Sequence, residues 1–193
     1  MTRTETKQFQ YEIQAYQEDC VNNIVSLFES LRQKINFVDV MAEHHNKHKY
    51  NFPIQDTKNI DIMMETGTGK TFAFIKTIFE LNKNYGYKKF IVLIPTVPIR
   101  EGTKTNLEDT KDYFKSYYAN QKEKEIEAFV YESGNLSAVK QFIGTSHLSV
   151  LVMTPSSFNS KDNILNRPLE REMNQPELFV ANQEPPKSYL ECL

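Results

Sequence analysis

Hydrophobic residues recur at helical spacing in the first patterned segment of the chain, Tyr11–Lys34. Spacings of three and four residues are typical of one amphipathic helix. The apolar positions of this predicted helix are Ile13, Tyr16, Val21, Ile24, Val25, Leu27, Phe28 and Leu31. The stretch that follows, residues 35–59, is polar and irregular and ends in turn-forming residues, which indicates a connection or an insertion.

From Ile60 onward, short apolar strands alternate with amphipathic helices. Strands are predicted at Ile60–Met64 (IDIMM), Phe90–Pro95 (FIVLIP), Glu127–Ser133 (EAFVYES) and Ser149–Pro155 (SVLVMTP). Helices are predicted at Lys70–Gly86, Pro98–Tyr118 and Ser137–Gly144. This alternation predicts an α/β domain with a mostly parallel sheet flanked by helices, preceded by the N-terminal helix. The strand pattern fades after Pro155, so the sheet is expected to be incomplete.

Composition narrows the class of protein. Charged residues are 25% of the chain and nearly cancel to a net charge of -2, so the whole chain offers no basic surface for nucleic acid. Cys20 and Cys192 lie far apart without metal-site spacing, which suits a reducing cytosol. No apolar run reaches the roughly 20 residues of a membrane span, and no signal peptide is apparent. We therefore expect a cytoplasmic protein with no membrane partner.

The segment MMETGTGKTF, Met63–Phe72, is placed between a predicted strand and a predicted helix, as a phosphate-binding loop would be. Gly67 and Gly69 allow a tight turn that aims backbone N–H groups at an anion near the start of a helix. Lys70 supplies a charge for the β and γ phosphates, and the Thr71 hydroxyl can complete the coordination of Mg²⁺. The loop therefore predicts nucleotide binding.

One residue departs from the general phosphate-loop pattern, because Met64 occupies the position of its first glycine. The alternative is a glycine-containing turn with an incidental lysine. A strand before the loop, GTGKT within it and a helix after it seldom coincide by chance, which favours the nucleotide.

TGTGKT preceded by a non-glycine residue resembles motif I of superfamily 2 helicases and translocases. Three further segments narrow the resemblance. YQEDCVNNIVSLFES resembles the upstream glutamine motif of that superfamily. IPTVPIREG and VMTPSSFNSKDNIL resemble two DNA-facing motifs of the restriction subunit of type III restriction-modification enzymes. The four segments match that family in order and spacing over about Tyr11–Leu165.

The resemblance implies a partial RecA-like P-loop NTPase fold with ATP and Mg²⁺ as cofactors. It divides the chain into residues 1–58, the helix with the glutamine motif and a polar connection, and residues 59–193, an incomplete first RecA-like domain. It also implies that DNA and a DNA-methylating modification subunit are partners. By resemblance, the ATP contacts are Gln17, Thr66, Gly67, Thr68, Gly69, Lys70 and Thr71, and the DNA-facing residues are Thr96, Arg100, Thr154 and Ser156.

The chain also departs from this family. Its members continue to an acidic motif that holds Mg²⁺ and orients water, whereas these 193 residues contain no Asp-Glu pair. A second lobe with its arginine and a nuclease domain are missing as well. We therefore expect the N-terminal part of an ATP-dependent translocase and endonuclease subunit, which binds ATP without efficient hydrolysis. The alternatives are another superfamily 2 motor, such as a type I restriction motor or a repair helicase, and a truncated gene product without catalysis.

Several of these residues also have simpler interpretations. Gln17 could be a polar residue on the exposed side of its helix, and Arg100 and Thr154 could be ordinary helix-start and strand-end residues. Arg100 and Thr154 follow parallel strands, where open α/β sheets bind ligands, and this place favours the DNA interpretation for these two residues. His44, His45 and His48 include an i, i+4 pair, but no acidic or cysteine partner is placed to complete a metal site.

Overall fold

The structure is a computed structural model that describes residues 12–32, 36–49, 59–132 and 136–159. In chain order its elements are α1 (Ala15–Arg32), α2 (Phe37–His48), α3 (Lys70–Tyr85), β1 (Lys89–Leu93), α4 (Val97–Asp109), α5 (Lys111–Tyr117), β2 (Glu127–Val130), α6 (Ser137–Gly144), β3 (Ser149–Met153) and α7 (Ser156–Asn159). They fall into two compact units, called here the loop unit (within Gln10–Gly86) and the sheet unit (within Tyr87–Leu193).

Two amphipathic helices form the core of the loop unit. α1 packs along α3, and their apolar faces are buried together. The buried residues include Val21, Ile24 and Leu27 of α1 and Ile75, Ile78 and Phe79 of α3. A salt bridge of 3.1 Å between Lys76 and Glu18 joins the same two helices. Gly86 ends α3 in the left-handed conformation, so the predicted helix and its glycine stop are confirmed.

The polar stretch after α1 differs from the prediction, because part of it forms the helix α2. The Asn36 side chain caps its start by accepting a hydrogen bond from the Val38 N–H. Lys49 ends the helix with φ of 55°, and His45 and His48 lie in the last turn. Asn36 and these basic residues are start and stop signals that sequence analysis passed over.

The sheet unit contains a three-stranded parallel sheet in the order β1-β3-β2. β3 is the central strand, and each of its five residues is 0% exposed. A central strand covered on both faces accounts for its continuous apolar sequence, SVLVM. On one face, α6 buries Val139, Phe142 and Ile143 against Phe129, Leu151 and Met153. The predicted α/β class with a parallel sheet is confirmed.

Two predicted elements were wrong in detail. Ile60–Met64 is not a strand, and its residues Ile62 and Met63 are 51% and 90% exposed. A strand needs a neighbour for its backbone ladder, and the described residues of the loop unit include no other strand. The helix predicted over Pro98–Tyr118 is two helices, α4 and α5, which meet at the buried Thr110. The Thr110 hydroxyl donates to the Asn106 carbonyl oxygen at this break.

Several predicted limits lie outside the described residues, among them Tyr11 and Lys34 of the predicted first helix and Ser133 of the third predicted strand. Residue 58, at which the first predicted segment ends, is one of them. Residues 160–165, the last part of the second DNA-facing motif, lie outside them as well.

Candidate functional site

The loop Glu65–Lys70 leads directly into α3. Gly67 and Gly69 both take the left-handed conformation, with φ of 84° and 82°. This conformation strains residues that carry a Cβ, so the sequence needs glycine at these two positions. Glycines with positive φ before a helix N-terminus direct backbone N–H groups toward a common point, which is a suitable arrangement for an anion.

Lys70 and Thr71 form the first turn of α3. The Lys70 side chain is directed back over the loop, where its Nζ donates to the carbonyl oxygens of Met64 (3.0 Å) and Glu65 (2.7 Å). Thr71 is half-buried, whereas Thr66 is exposed. The Thr68 hydroxyl donates to the Glu65 carbonyl oxygen at 2.6 Å, which closes the turn. Hydrogen bonds to its own carbonyl oxygens therefore order the loop, and the Lys70 ammonium group lies beside these oxygens.

Gln17 of α1 joins the loop through its side-chain amide. Its Nε2 donates to the Thr68 carbonyl oxygen at 2.9 Å, and its Oε1 accepts from the Gln14 N–H at 3.1 Å. The residue is 7% exposed, so the interpretation as a polar residue on the exposed side of the helix is wrong. The Tyr16 hydroxyl donates to the same Thr68 oxygen at 3.3 Å. Tyr16 was predicted on the apolar face of the helix and within the glutamine motif, but no contact with the loop was predicted for it.

The residues predicted to face DNA lie in the sheet unit, after the ends of two neighbouring strands. Leu93 of β1 pairs with Met153 of β3, so the segments that carry Thr96 and Thr154 leave the same edge of the sheet. Thr96 is exposed and Thr154 is half-buried. The Thr154 and Ser156 hydroxyl groups lie 2.8 Å apart and share a hydrogen bond. The hydroxyl groups of Thr154 and Ser156 thus lie next to each other at this edge of the sheet.

Arg100 belongs to the same edge, but its side chain is buried there. Its Nη1 donates to the Tyr131 carbonyl oxygen at 2.9 Å, just beyond the end of β2. Its Nε and Nη2 donate to one carboxylate oxygen of Glu101, at 3.0 and 2.8 Å. These bonds tie the first turn of α4 to the strand end, and the carboxylates of Glu101 at 2.8 Å and Glu132 at 3.8 Å offset the charge of Arg100.

The histidines of α2 lie close together. The ring centroids of His44 and His48 are 4.4 Å apart. Burial lowers the pKa of His44 first, and the neighbouring His48, His45 and Lys47 lower it further. Among the described residues, no group of three or more histidine, cysteine or acidic side chains could hold a metal ion. In the same part of the chain, no helix is long and apolar enough to cross a membrane.

Comparisons with known proteins agree with one another. A family model described as "Type III restriction enzyme, res subunit" matches residues 10–183. The EcoP15I Res subunit of Escherichia coli is 33% identical over an alignment of 152 residues, and the match covers 65% of this chain and 15% of that protein. The EcoPI Res subunit of Escherichia phage P1 is 36% identical over an alignment of 118 residues, and the match covers 53% of this chain and 12% of that protein. The StyLTI Res subunit of Salmonella typhimurium is 41% identical over 64 residues, 33% of this chain and 6% of that protein. The aligned part is thus at most 15% of each relative's length.

Proposed function

The chain belongs to the family of type III restriction enzyme res subunits, and from this premise we propose that its loop Glu65–Thr71 binds ATP. The observation that carries the proposal is the loop itself. Two glycines with φ near 80° precede the N-terminus of α3, and a lysine stands at its first position. Backbone N–H groups and a primary amine at one helix start are well suited to a polyphosphate.

Different groups of the loop would contact the phosphates. Thr66, Gly67, Thr68 and Gly69 would surround the phosphates with backbone N–H groups. The Lys70 amine would exchange the Met64 and Glu65 carbonyl oxygens, which it contacts at 3.0 and 2.7 Å, for phosphate oxygens. A charged acceptor makes the stronger hydrogen bond with an ammonium group, so the exchange favours binding.

The same site fits Mg²⁺ bound together with the nucleotide. The Thr71 side chain supplies a hydroxyl oxygen, the type of donor that Mg²⁺ prefers, in the first turn of α3. When bound, the ion would offset the negative charge of the phosphates. Thr71 would hold it, and Lys70 would contact the phosphates beside it.

Gln17 would recognise the base. An amide side chain has two hydrogens and two acceptor lone pairs. The Gln14 N–H occupies one lone pair of the Gln17 amide oxygen at 3.1 Å, and the Thr68 carbonyl oxygen accepts one of the amide hydrogens at 2.9 Å. One donor and one acceptor remain, which are the two groups that pair with the edge of adenine.

For the intact protein, we propose ATP-dependent DNA translocation and cleavage together with a DNA-methylating modification subunit. The relatives are named as Res subunits of type III restriction-modification enzymes, and this name supports the assignment. DNA would run along the sheet edge that carries Thr96, Thr154 and Ser156, where hydroxyl groups suit backbone phosphates. Arg100 would add its charge to that edge after exchanging Glu101 for a phosphate.

We also propose that these residues alone bind ATP without efficient hydrolysis. Phosphoryl transfer depends on carboxylates and an arginine that place water and offset charge. The sequence contains no Asp-Glu pair. The loop would therefore hold ATP, while groups supplied by other parts of such an enzyme would complete its chemistry.

The test is ATP binding by calorimetry, with Mg²⁺, to the wild-type chain and to Lys70→Ala. Loss of a charge-assisted contact should weaken binding by about 10- to 100-fold. Lys83→Ala is the matched control, because this lysine lies in the last turn of the same helix. Equal affinity of wild type and Lys70→Ala would refute the proposal. The same samples should show no ATP turnover with or without DNA, and turnover would contradict the division between binding and hydrolysis.

A further inference from the structure

We infer that Gln17 and Tyr16 position the phosphate loop before any nucleotide arrives, by fixing the direction of the Thr68–Gly69 peptide. This role is additional to recognition of the base. It concerns the nucleotide-free loop, and it rests on the proposed function for the place of the anion and for the ligand-binding test.

Two neighbouring residues at the start of α1 donate to one oxygen atom. Gln17 Nε2 lies 2.9 Å and the Tyr16 hydroxyl 3.3 Å from the Thr68 carbonyl oxygen. The other end of the Gln17 amide is held by the Gln14 N–H at 3.1 Å. These partners fix the orientation of the amide, because its oxygen must face an N–H and its nitrogen must face a carbonyl. A buried amide held at both ends is a rigid support for a loop.

The contact determines where the next N–H group is directed. A trans peptide is planar, and its C=O and N–H bonds point in opposite directions. Because the Thr68 carbonyl is directed at α1, the Gly69 N–H is directed away from α1. A reversed peptide would instead present a carbonyl oxygen on the side of the anion and repel it. Gln17 and Tyr16 therefore select the peptide orientation that an anion-binding loop needs.

Gly69 is required for this contact as well as for its backbone conformation. A Cβ added there would lie 2.4 Å from Gln17 Nε2, whereas one added at Gly67 would meet no atom within 4 Å. The amide thus packs directly against the Gly69 backbone. The close approach of a side chain from α1 explains why the second glycine cannot be exchanged even for alanine without moving Gln17.

Pairing with adenine and positioning the loop are two roles of the Gln17 side chain with different measurable effects. A residue that only pairs with adenine would affect ATP and leave the empty loop and the binding of inorganic polyphosphate unchanged. A positioning residue would affect all three. A residue that only supports general stability would instead alter the whole unit, including the interior of α3.

The first experiment is hydrogen exchange of the nucleotide-free chain, with Gln17→Met as the variant. Methionine keeps the length of the side chain but removes its donors. Gln14→Met is the matched control, because this glutamine is exposed and lies just before α1. Loss of the contact should loosen the turn in which the Thr68 N–H donates to the Glu65 carbonyl oxygen, and so speed exchange of the Thr68 N–H by about three- to tenfold, while Ile75–Leu81 in α3 exchanges as in the wild type. Tyr16→Phe should have a smaller effect in the same direction.

Unchanged loop exchange in Gln17→Met, or equal acceleration in the interior of α3, would overturn the inference. The second experiment compares binding of ATP and of inorganic tripolyphosphate, each with Mg²⁺. The inference expects Gln17→Met to weaken both ligands, and a loss confined to ATP would leave only the adenine role and overturn it. A wild-type chain that binds neither ligand would refute the proposed function, and the exchange experiment would still decide this inference.

Discussion

The loop Glu65–Lys70 and the central strand β3 are both well-defined parts of the chain, but different forces hold them. β3 is 0% exposed along its length, and apolar contacts surround it on both faces. The loop Glu65–Lys70 is largely exposed and follows a segment whose Met63 is 90% exposed. Its order comes from a few directional hydrogen bonds, chiefly those to the carbonyl oxygens of Thr68 and Glu65.

This difference would allow one chain to combine a stable framework with the proposed binding site. Apolar burial adds up over many contacts and excludes water, so it stabilises the sheet strongly. It does not depend on the direction of individual chemical groups. Hydrogen bonds contribute less each, but they specify the direction of individual peptide groups. A loop that must present N–H groups to an anion needs direction more than total stability. Substitutions in the two regions should therefore differ in size and in the property that they change.

The largest effect is expected in the central strand. Leu151→Ala would leave a cavity between the sheet and α6, and should lower the free energy of unfolding by about 2–5 kcal/mol. Urea unfolding followed by circular dichroism measures this change. Leu93→Ala on β1 is the matched control, because this leucine is half exposed and its loss should cost about 1 kcal/mol or less. Equal losses at the two leucines would show that burial does not set the stability of the sheet.

An intermediate effect is expected in the loop, and it should appear in binding. Gly69→Ala adds strain at φ of 82° and a contact of 2.4 Å with Gln17. Gly67→Ala adds strain alone, since the space beside it is open. We expect ATP binding, measured by calorimetry, to weaken about tenfold for Gly67→Ala and about 100-fold for Gly69→Ala. The same loss in both variants would argue against a special contact between Gln17 and Gly69.

The smallest effect is expected from an exposed charge cluster in the sheet unit. Hydrogen bonds from Lys111 and Lys115 lower the pKa of Glu125 to about 2, from its ordinary value of 4.5. Because the folded state has the lower pKa, this carboxylate stabilises the fold above about pH 4.5, and the contribution is lost as the pH falls toward about 2. Thermal unfolding midpoints of Glu125→Gln should therefore depend less on pH in this window. The difference should be a few degrees at most, because exposed ion pairs contribute little.

Glu108→Gln, an exposed carboxylate on α4, is the control for this comparison. A Glu125→Gln variant with the same pH dependence as the wild type would show that the cluster adds nothing. Added salt should reduce the difference, since it screens exposed charges.

Patterns that depend on near neighbours in the chain were predictable. The periodicity of Lys70–Gly86 and its glycine stop predicted α3, and the apolar run Ser149–Pro155 predicted the strand β3, although not its central place in the sheet. The order of the motifs indicated the type III restriction family, which the match over residues 10–183 confirms. The strand predicted at Ile60–Met64 was wrong, because an apolar run alone does not provide the neighbouring strand that it must pair with.

The sequence by itself determined which residues could bind an anion, because GTGKT before a helical pattern fixes the glycines, the lysine and the helix start within a few positions of each other. Only the tertiary structure decided what holds that loop in place. Gln17 meets Thr68 across 51 residues of sequence, and Arg100 meets Tyr131 across 31. Such contacts depend on how helices and strands pack, and no local pattern of residues specifies them.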